Sequence, residues 1–281
     1  MSSARIDAPG PDLEPVSRAL APFGRRAAPV SARERYGAYV VLRCLDLQGP
    51  LPQAGQFYML SASERWGGGE GERPFLPRAF SVLRAGTEQA GRLELQFLIE
   101  DVGPGTRRLS ELEAGDDLLL VGPLGRGFGA PRGGRRPLLV GGGVGVAPLA
   151  IWQDQLGGEA PALLGFRDAA RARGAGLLFG ARVATDDGSV GHHGLVTELL
   201  ADELELEADS VEVYSCGPEP MLEAVRSLCA EHGVPAQLAL ESGMACGYGA
   251  CFGCVVATRL GYLRLCLDGP VLDAALLGEP E

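Results

Sequence analysis

The stretch PLLVGGGVGVAPLAIWQDQL, Pro137 to Leu156, followed by APALLGF from Ala160 to Phe166, decides the fold. An apolar run enters a glycine cluster, an apolar segment of helical length follows, and a second apolar run succeeds it. Strand, glycine turn, helix and buried strand make the opening of a parallel βαβ unit. Downstream, LLFGARVAT (177–185) and SVEVYSC (210–216) fit further strands, and EPMLEAVRSLCAEHG reads as a helix whose end is marked by Gly233.

Within that unit, Val140 to Pro148 lies between a strand and a helix, where glycine lets the backbone approach a phosphate at the positive helix end. Gly142, Gly143 and Gly145 are therefore candidate nucleotide contacts, although the spacing departs from G-x-G-x-x-G and a bare glycine turn remains the alternative. Cys216, Gly217 and Pro218 form a second turn at the carboxyl end of another parallel strand, the end at which such sheets bind ligands. Cys216 either borders that ligand or simply packs.

Upstream of Pro137 the texture differs. YVVLRCLDL, GQFYML, RAFSVL, RLELQFLI and DDLLLVG are short alternating stretches bounded by Gly, Pro or Asp, which predicts an antiparallel barrel or sandwich from Tyr39 to about Pro131. Arg78-Ala79-Phe80-Ser81 opens one strand, and Gly103-Pro104-Gly105-Thr106 precedes an expected helix, RRLSELE. An arginine can fork onto a diphosphate, an aromatic ring can lie on a flat cofactor, and a hydroxyl can meet a ring nitrogen. An ordinary half-buried strand edge is the plainer reading of the same residues.

The tail is irregular and rich in glycine and cysteine. Cys246, Cys251 and Cys254 have the C-x4-C-x2-C spacing of plant-type ferredoxins, and Cys266 can close the set around a 2Fe-2S cluster. Gly247, Gly249 and Gly253 suit a loop that curls round a cluster with amides close to sulfur. Structural zinc also takes four thiolates, but it favours paired C-x2-C knuckles and only one is present. Cys44 and Cys229 stand apart and read as core residues.

Composition bounds the rest. The 281 residues suffice for about two domains with proper cores. A net charge of −11, spread along the chain, disfavours nucleic acid as a partner. No apolar run is long enough to span a membrane, and MSSARIDAPGPDLEP lacks the pattern of a secretory signal, so a cytoplasmic protein is expected. Seven cysteines are too few for a disulfide scaffold.

Taken in order, these motifs resemble the ferredoxin-reductase-type flavoproteins, and within them the electron-transfer subunits of NAD-dependent dihydroorotate dehydrogenase B. Arg78 to Ser81 looks like the flavin motif, Gly105-Thr106 like the flavin-phosphate turn, and Gly122 to Gly125 like the close of the flavin domain. Leu98-Ile99-Glu100 occupies a flavin-contacting place where the family often has a basic or aromatic residue. Val140 to Leu149 and Cys216 to Met221 look like the nicotinamide signatures, and Thr185 to Ser189 like a loop near the dinucleotide. The tail, E-S-x-M-A-C-G-x-G-x-C-x-G-C followed by C-x-D-G-P, is the most specific match.

The resemblance implies a β barrel plus α/β architecture: a loosely ordered extension over 1–32, an FAD-binding antiparallel barrel over 33–132, a parallel-sheet NAD domain over 133–238, and a small 2Fe-2S domain over 239–281. It implies three cofactors, a 2Fe-2S cluster, FAD and NAD, with no general acid or base on this chain. It also implies a separate FMN-containing catalytic subunit, two of each in a heterotetramer, which meets this chain near the cluster. Arg167 and Arg171 are candidates for a 2'-phosphate if NADP is used. The glycine-rich insertion from Gly67 to Gly71 is expected to form a surface loop. Another partner on the same architecture, such as that of a ferredoxin:NADP reductase or a hydrogenase diaphorase subunit, is the main alternative; a zinc-stabilised binding protein without catalysis is the other.

Overall fold

The computed structural model describes residues 19–22, 24–68, 74–87 and 91–278. Most of the expected extension and part of the glycine-rich insertion at 67–71 lie outside the described residues. Among those described, no helix is long and apolar enough to cross a membrane.

Six strands close into an antiparallel barrel: β1 (Arg26–Tyr36), β2 (Tyr39–Asp46), β3 (Phe57–Ala62), β4 (Arg78–Thr87), β5 (Leu93–Glu100) and β6 (Asp117–Leu124), in the order β1-β2-β5-β4-β3-β6. Closure leaves no unpaired edge. The alternation that predicts β5 is obeyed, with Leu93, Leu95 and Phe97 buried and Glu94 and Gln96 partly exposed.

Strand β1 corrects the expected boundary, because residues 26–32 belong to the barrel and not to an extension. Arg26, Ala27, Ala28 and Pro29 are poor strand formers, so the strand is imposed by its neighbours. Arg26 pairs with Leu120 of β6 and Val30 with Cys44 of β2. The register shifts between Val30 and Ala32, just after Pro29, where a missing amide is tolerated. Arg26 is itself buried, donating from Nε to Asp46 Oδ1 at 2.8 Å and from Nη2 to the Gly122 carbonyl at 2.8 Å.

Helix α1 (Pro104–Ser110) joins β5 to β6 and starts earlier than the sequence suggests, so that Gly105 and Thr106 form its first turn. Thr106 Oγ1 accepts from the amides of Val102 and Gly103, at 2.9 and 3.0 Å, and fixes the entry of the chain.

The second layer begins with β7 (Arg136–Gly142), then α2 (Val146–Gln155), β8 (Ala162–Phe166), the short α3 (Ala169–Ala172) and β9 (Ala181–Thr185). The two-residue β10 (His192–His193), α4 (Val196–Glu207), β11 (Val211–Cys216), α5 (Glu219–Glu231) and β12 (Ala236–Ala239) complete it. These strands are parallel, in the order β10-β9-β8-β7-β11-β12. Strand β9 is shorter than LLFGARVAT predicts, because Gly180 adopts φ +63° after a single-turn helix ending at Leu177. The chain leaves β7 on one side for β8 and β9 and returns on the other side as β11, so the switch point falls between β7 and β11.

The tail is more regular than its composition suggests. A hairpin of β13 (Val255–Thr258) and β14 (Gly261–Arg264) follows the cysteine loop, and β15 (Val271–Asp273) adds antiparallel to β12. The segment from Ala239 to Gly278 is thus anchored in the α/β sheet through β15, its edge strand. Cys44 and Cys229 are buried in the two main cores. Barrel and sheet share one core, which runs through the largely buried α2 and the aromatic trio Phe128, Trp152 and Tyr214.

Candidate functional site

A cleft of about 270 Å³ opens between the barrel and α2. Arg78, Ala79, Phe80 and Ser81 line it from β4, Leu98 and Glu100 from β5, and Thr106 from α1. Ile99 lies between two lining residues on a strand and therefore faces the opposite way, fully buried in the core. Gly105 does not line the cleft either, but a Cβ there would fall 2.7 Å from Arg78 Nε, so its lack of a side chain makes room for the guanidinium. Arg78 is held by a 2.5 Å bond from Nη1 to the Leu76 carbonyl and lies 5.9 Å from the Trp66 ring centroid.

A second cleft, about 550 Å³, sits at the switch point of the sheet. Gly142, Gly143, Gly217 and Pro218 line it, as the two turns predict. The register explains their meeting: Ser215 pairs with Val140 and Cys216 with Gly141, so both turns leave the sheet at one level. Gly145 acts by packing, since a Cβ there would lie 2.2 Å from the Cys216 carbonyl oxygen. Cys216 is buried behind the turn, and burial, with Glu241 nearby, pushes its thiol well up, so it packs as an uncharged group.

The two clefts are continuous. Glu100, Val102, Val144 and Glu241 line both. Burial raises the Glu241 carboxyl above its ordinary range, although its side chain still opens onto the clefts. Neither Val144 nor Glu241 stands out in the sequence as a cleft residue: one lies within the glycine turn without a role of its own, and the other leads the cysteine motif. Asp186, at the end of β9, lines the second cleft with Arg167 and Arg171. Arg171 is already engaged, 2.8 Å from Glu100 Oε1 and 2.5 Å from Asp168 Oδ2, whereas Arg167 is exposed.

The third part is the cysteine loop. Ser242 and Met244 line the first cleft, and the chain then turns directly into Cys246. Gly247 and Gly249 take φ +78° and +84°, the left-handed conformation that glycine alone adopts freely. The loop rests on the barrel: Phe57, Met59 and Leu124 share a small core with Cys254, Leu265, Cys266 and Leu272.

The four thiols form two neighbouring pairs, Cys246 with Cys251 and Cys254 with Cys266. Burial raises the Cys246 thiol, but bonds from the amides of Cys251, Tyr248 and Ala250 and from the Cys251 side chain outweigh it and bring it to about 7. Burial and the adjacent Cys254 push Cys266 up to about 12. Among the described residues no three metal-binding side chains converge on one ion. Two thiol pairs in an amide-lined loop fit a two-iron centre, in which each iron takes two thiolates beside bridging sulfides.

An antiparallel barrel with an arginine-headed cleft, joined at a switch point to a parallel sheet, defines a ferredoxin-reductase-type flavoprotein. The nearby solved structures include an NADH-dependent reduced ferredoxin-NADP oxidoreductase, 26% identical and covering 91% of each chain with a TM-score of 0.73. Residues 241–278 match the family model for the iron-sulfur cluster binding domain of dihydroorotate dehydrogenase B. The dihydroorotate dehydrogenase B (NAD(+)) electron transfer subunit of Caldanaerobacter subterraneus subsp. tengcongensis is 36% identical, over 88% of this chain and 96% of its own length. That of Geobacillus thermodenitrificans is 37% identical, over 82% and 88% respectively. The chain belongs to this family of electron transfer subunits.

Proposed function

We propose that this chain carries electrons between the FMN of a dihydroorotate dehydrogenase catalytic subunit and NAD, using a 2Fe-2S cluster and FAD, in the cytoplasm. The observation that carries it is the continuity of the three sites: a nicotinamide-type cleft opens into a flavin-type cleft, whose wall runs straight into the cysteine loop. FAD supplies the conversion between two-electron hydride exchange with nicotinamide and one-electron exchange with iron.

In this reading Arg78, at the mouth of α1, holds the flavin diphosphate, with Gly105 giving it room and Thr106 fixing the turn. Phe80 and Ser81, with Leu98 and Glu100 opposite, orient the ring. Gly142 and Gly143, at the positive end of α2, and Gly217 and Pro218 take the dinucleotide. Cys246, Cys251, Cys254 and Cys266 hold the irons. Asp186 supports NAD over NADP, because a carboxylate accepts a ribose hydroxyl and repels a phosphate, while Arg171 is tied up by Glu100 and Asp168. Tyr248, Phe252 and Tyr262 are exposed beside the cysteine loop and present the face for the catalytic subunit, two of each chain making the assembly.

The Cys251→Ala variant tests the route. Its flavin should remain bound and reducible by NADH, the iron signal should fall, and exchange with the partner's FMN should be abolished. Reduction of that FMN at the normal rate would sink the proposal. A second reading, service to a different redox partner, is favoured by the likeness to the ferredoxin-NADP oxidoreductase. Co-purification separates the two, since only the first brings down an FMN-containing dihydroorotate dehydrogenase.

A further inference from the structure

Arg264 ends β14, on the hairpin that follows the cysteine loop. Its side chain reaches back over that loop. Nη1 donates to the Gly249 carbonyl at 3.2 Å, and Cζ lies 5.1 Å from the centroid of the Phe252 ring. The Arg264 amide donates to Asp268 Oδ2 at 2.9 Å, which fixes the backbone on the other side. The guanidinium forms no ion pair among the described residues, unlike Arg26, Arg84, Arg132 and Arg171, each of which meets a carboxylate.

Both contacts fall inside the ligand spacing. Gly249 lies between Cys246 and Cys251, and Phe252 between Cys251 and Cys254. Phe252 has φ +58°, a left-handed conformation that costs an aromatic residue free energy, and its ring is exposed, so burial does not offset that cost. The cation on its face is the contact that does.

We propose that Arg264 is a positioning residue for the iron-sulfur centre, an unneutralised cation fixed over the ligand loop that raises the centre's reduction potential. The reason is electrostatic. Two ferric ions with two sulfides and four thiolates form a dianion, and one electron makes it a trianion. A fixed positive charge nearby stabilises the more negative state more strongly. A guanidinium cannot lose its proton, so the effect persists across the working pH range. The chain's net charge of −11 pulls the other way, which makes a local cation consequential.

The inference rests on the four cysteines being the ligands, and the two claims fail separately: iron and sulfide content report the ligands, the midpoint potential reports Arg264. The experiment is an EPR-monitored redox titration of the full chain with flavin and cluster bound, comparing wild type with Arg264→Gln, Arg264→Met and Arg264→Lys. Either neutral variant should keep its iron and show a reduction equilibrium less favourable by about tenfold, a shift of 59 mV to lower potential for one electron. Arg264→Lys should stay near the wild-type midpoint. A neutral variant with full iron and an unshifted midpoint overturns the proposal. So does a lysine variant shifted as far as the neutral ones, since Arg264 would then act by shape, or loss of iron from both neutral variants while the lysine variant keeps it, since the charge would then hold the loop together instead of tuning the centre.

Discussion

The two glycine-rich turns, 140–148 and 246–254, look alike in composition but are glycine-rich for different physical reasons. In the first, Gly143 alone has a positive φ, +55°, while Gly142 and Gly145 have ordinary negative φ angles and at these two it is space that demands glycine: Met221 Sδ and the Cys216 carbonyl oxygen occupy the places where their Cβ atoms would stand. In the second, Gly247 and Gly249 both have positive φ, and a Cβ on either would in addition meet the Met59 or Leu267 side chain. The first turn is clamped between β7, α2 and β11, so the sheet forms it. The second has no regular element on its leading side and leans on the barrel wall at Met59 and Leu124. The first turn is thus organised mainly by packing, whereas the second, on the function proposed, would leave part of its organisation to the metal.

Withdrawing the wall beneath the second turn is the most damaging test. Burial pushes the Asp46 carboxyl up, but the hydrogen bond and charge of Arg26, with the amides of Gln48 and Gly49, outweigh it and hold it below the ordinary carboxylate value. Arg26 also carries the Gly122 carbonyl, two residues from Leu124. Asp46→Asn leaves a buried arginine without its charge partner and should cost about 3–5 kcal/mol in chemical denaturation. Because the folded carboxyl titrates below its unfolded value of about 3.9, its contribution is complete above that pH and is lost as pH falls through the folded value. Wild-type stability should therefore decline below about pH 4, and the Asn variant should lack that component. Equal acid slopes would show that this pair does not hold the wall.

The first turn is broken through space rather than support. Gly145→Val introduces no φ strain, yet its Cβ must displace the Cys216 carbonyl, which is backbone and cannot swing aside. A loss of about 3 kcal/mol is expected, with loss of flavin reduction by NADH. Normal NADH reduction and an unchanged melting temperature would mean that the β7 and β11 turns are not clamped together.

How far the sequence discloses this difference depends on which forces act locally. The alternation of β2 to β6 and the βαβ run from Pro137 are local signals, and those elements stand where expected. Strand β1 carries no such signal, because Arg26 and Pro29 are placed by a buried ion pair and by neighbouring strands remote in sequence. The same holds for β15, which pairs with β12 only after the hairpin has turned the chain back. At the site, Leu98 and Glu100 reach the cleft and Ile99 does not, a distinction that strand alternation already contains. Val144 and Glu241 reach it because separate segments converge, which no local pattern reports.

The second turn should answer to backbone angle together with its contact on the barrel wall. Gly247→Ala adds strain at a positive φ and places its Cβ 2.5 Å from Met59 Cγ, near the root of a buried side chain, so a cost of about 2 kcal/mol is expected, borne mainly by the loop. Faster iron release to a chelator, with flavin content and NADH-dependent flavin reduction unchanged, is the expected result. Loss of flavin would show that the loop and the barrel form one cooperative unit.

The smallest effect is expected where the barrel meets the sheet. Arg84 of β4 donates to Asp154 Oδ2 of α2 at 3.0 Å and to the Leu177 carbonyl at 2.7 Å, but Asp154 is exposed and Arg84 partly so. An exposed pair contributes little, and the shared core of α2 with Phe128, Trp152 and Tyr214 already fixes the two domains. Arg84→Ala should therefore cost about 0.5–1 kcal/mol, a difference that shrinks toward zero at about 1 M salt. A loss above about 2 kcal/mol that salt does not reduce would place the junction of flavin and nicotinamide clefts under the control of this bridge, and the packing that forms the first turn would then depend on a contact outside the sheet.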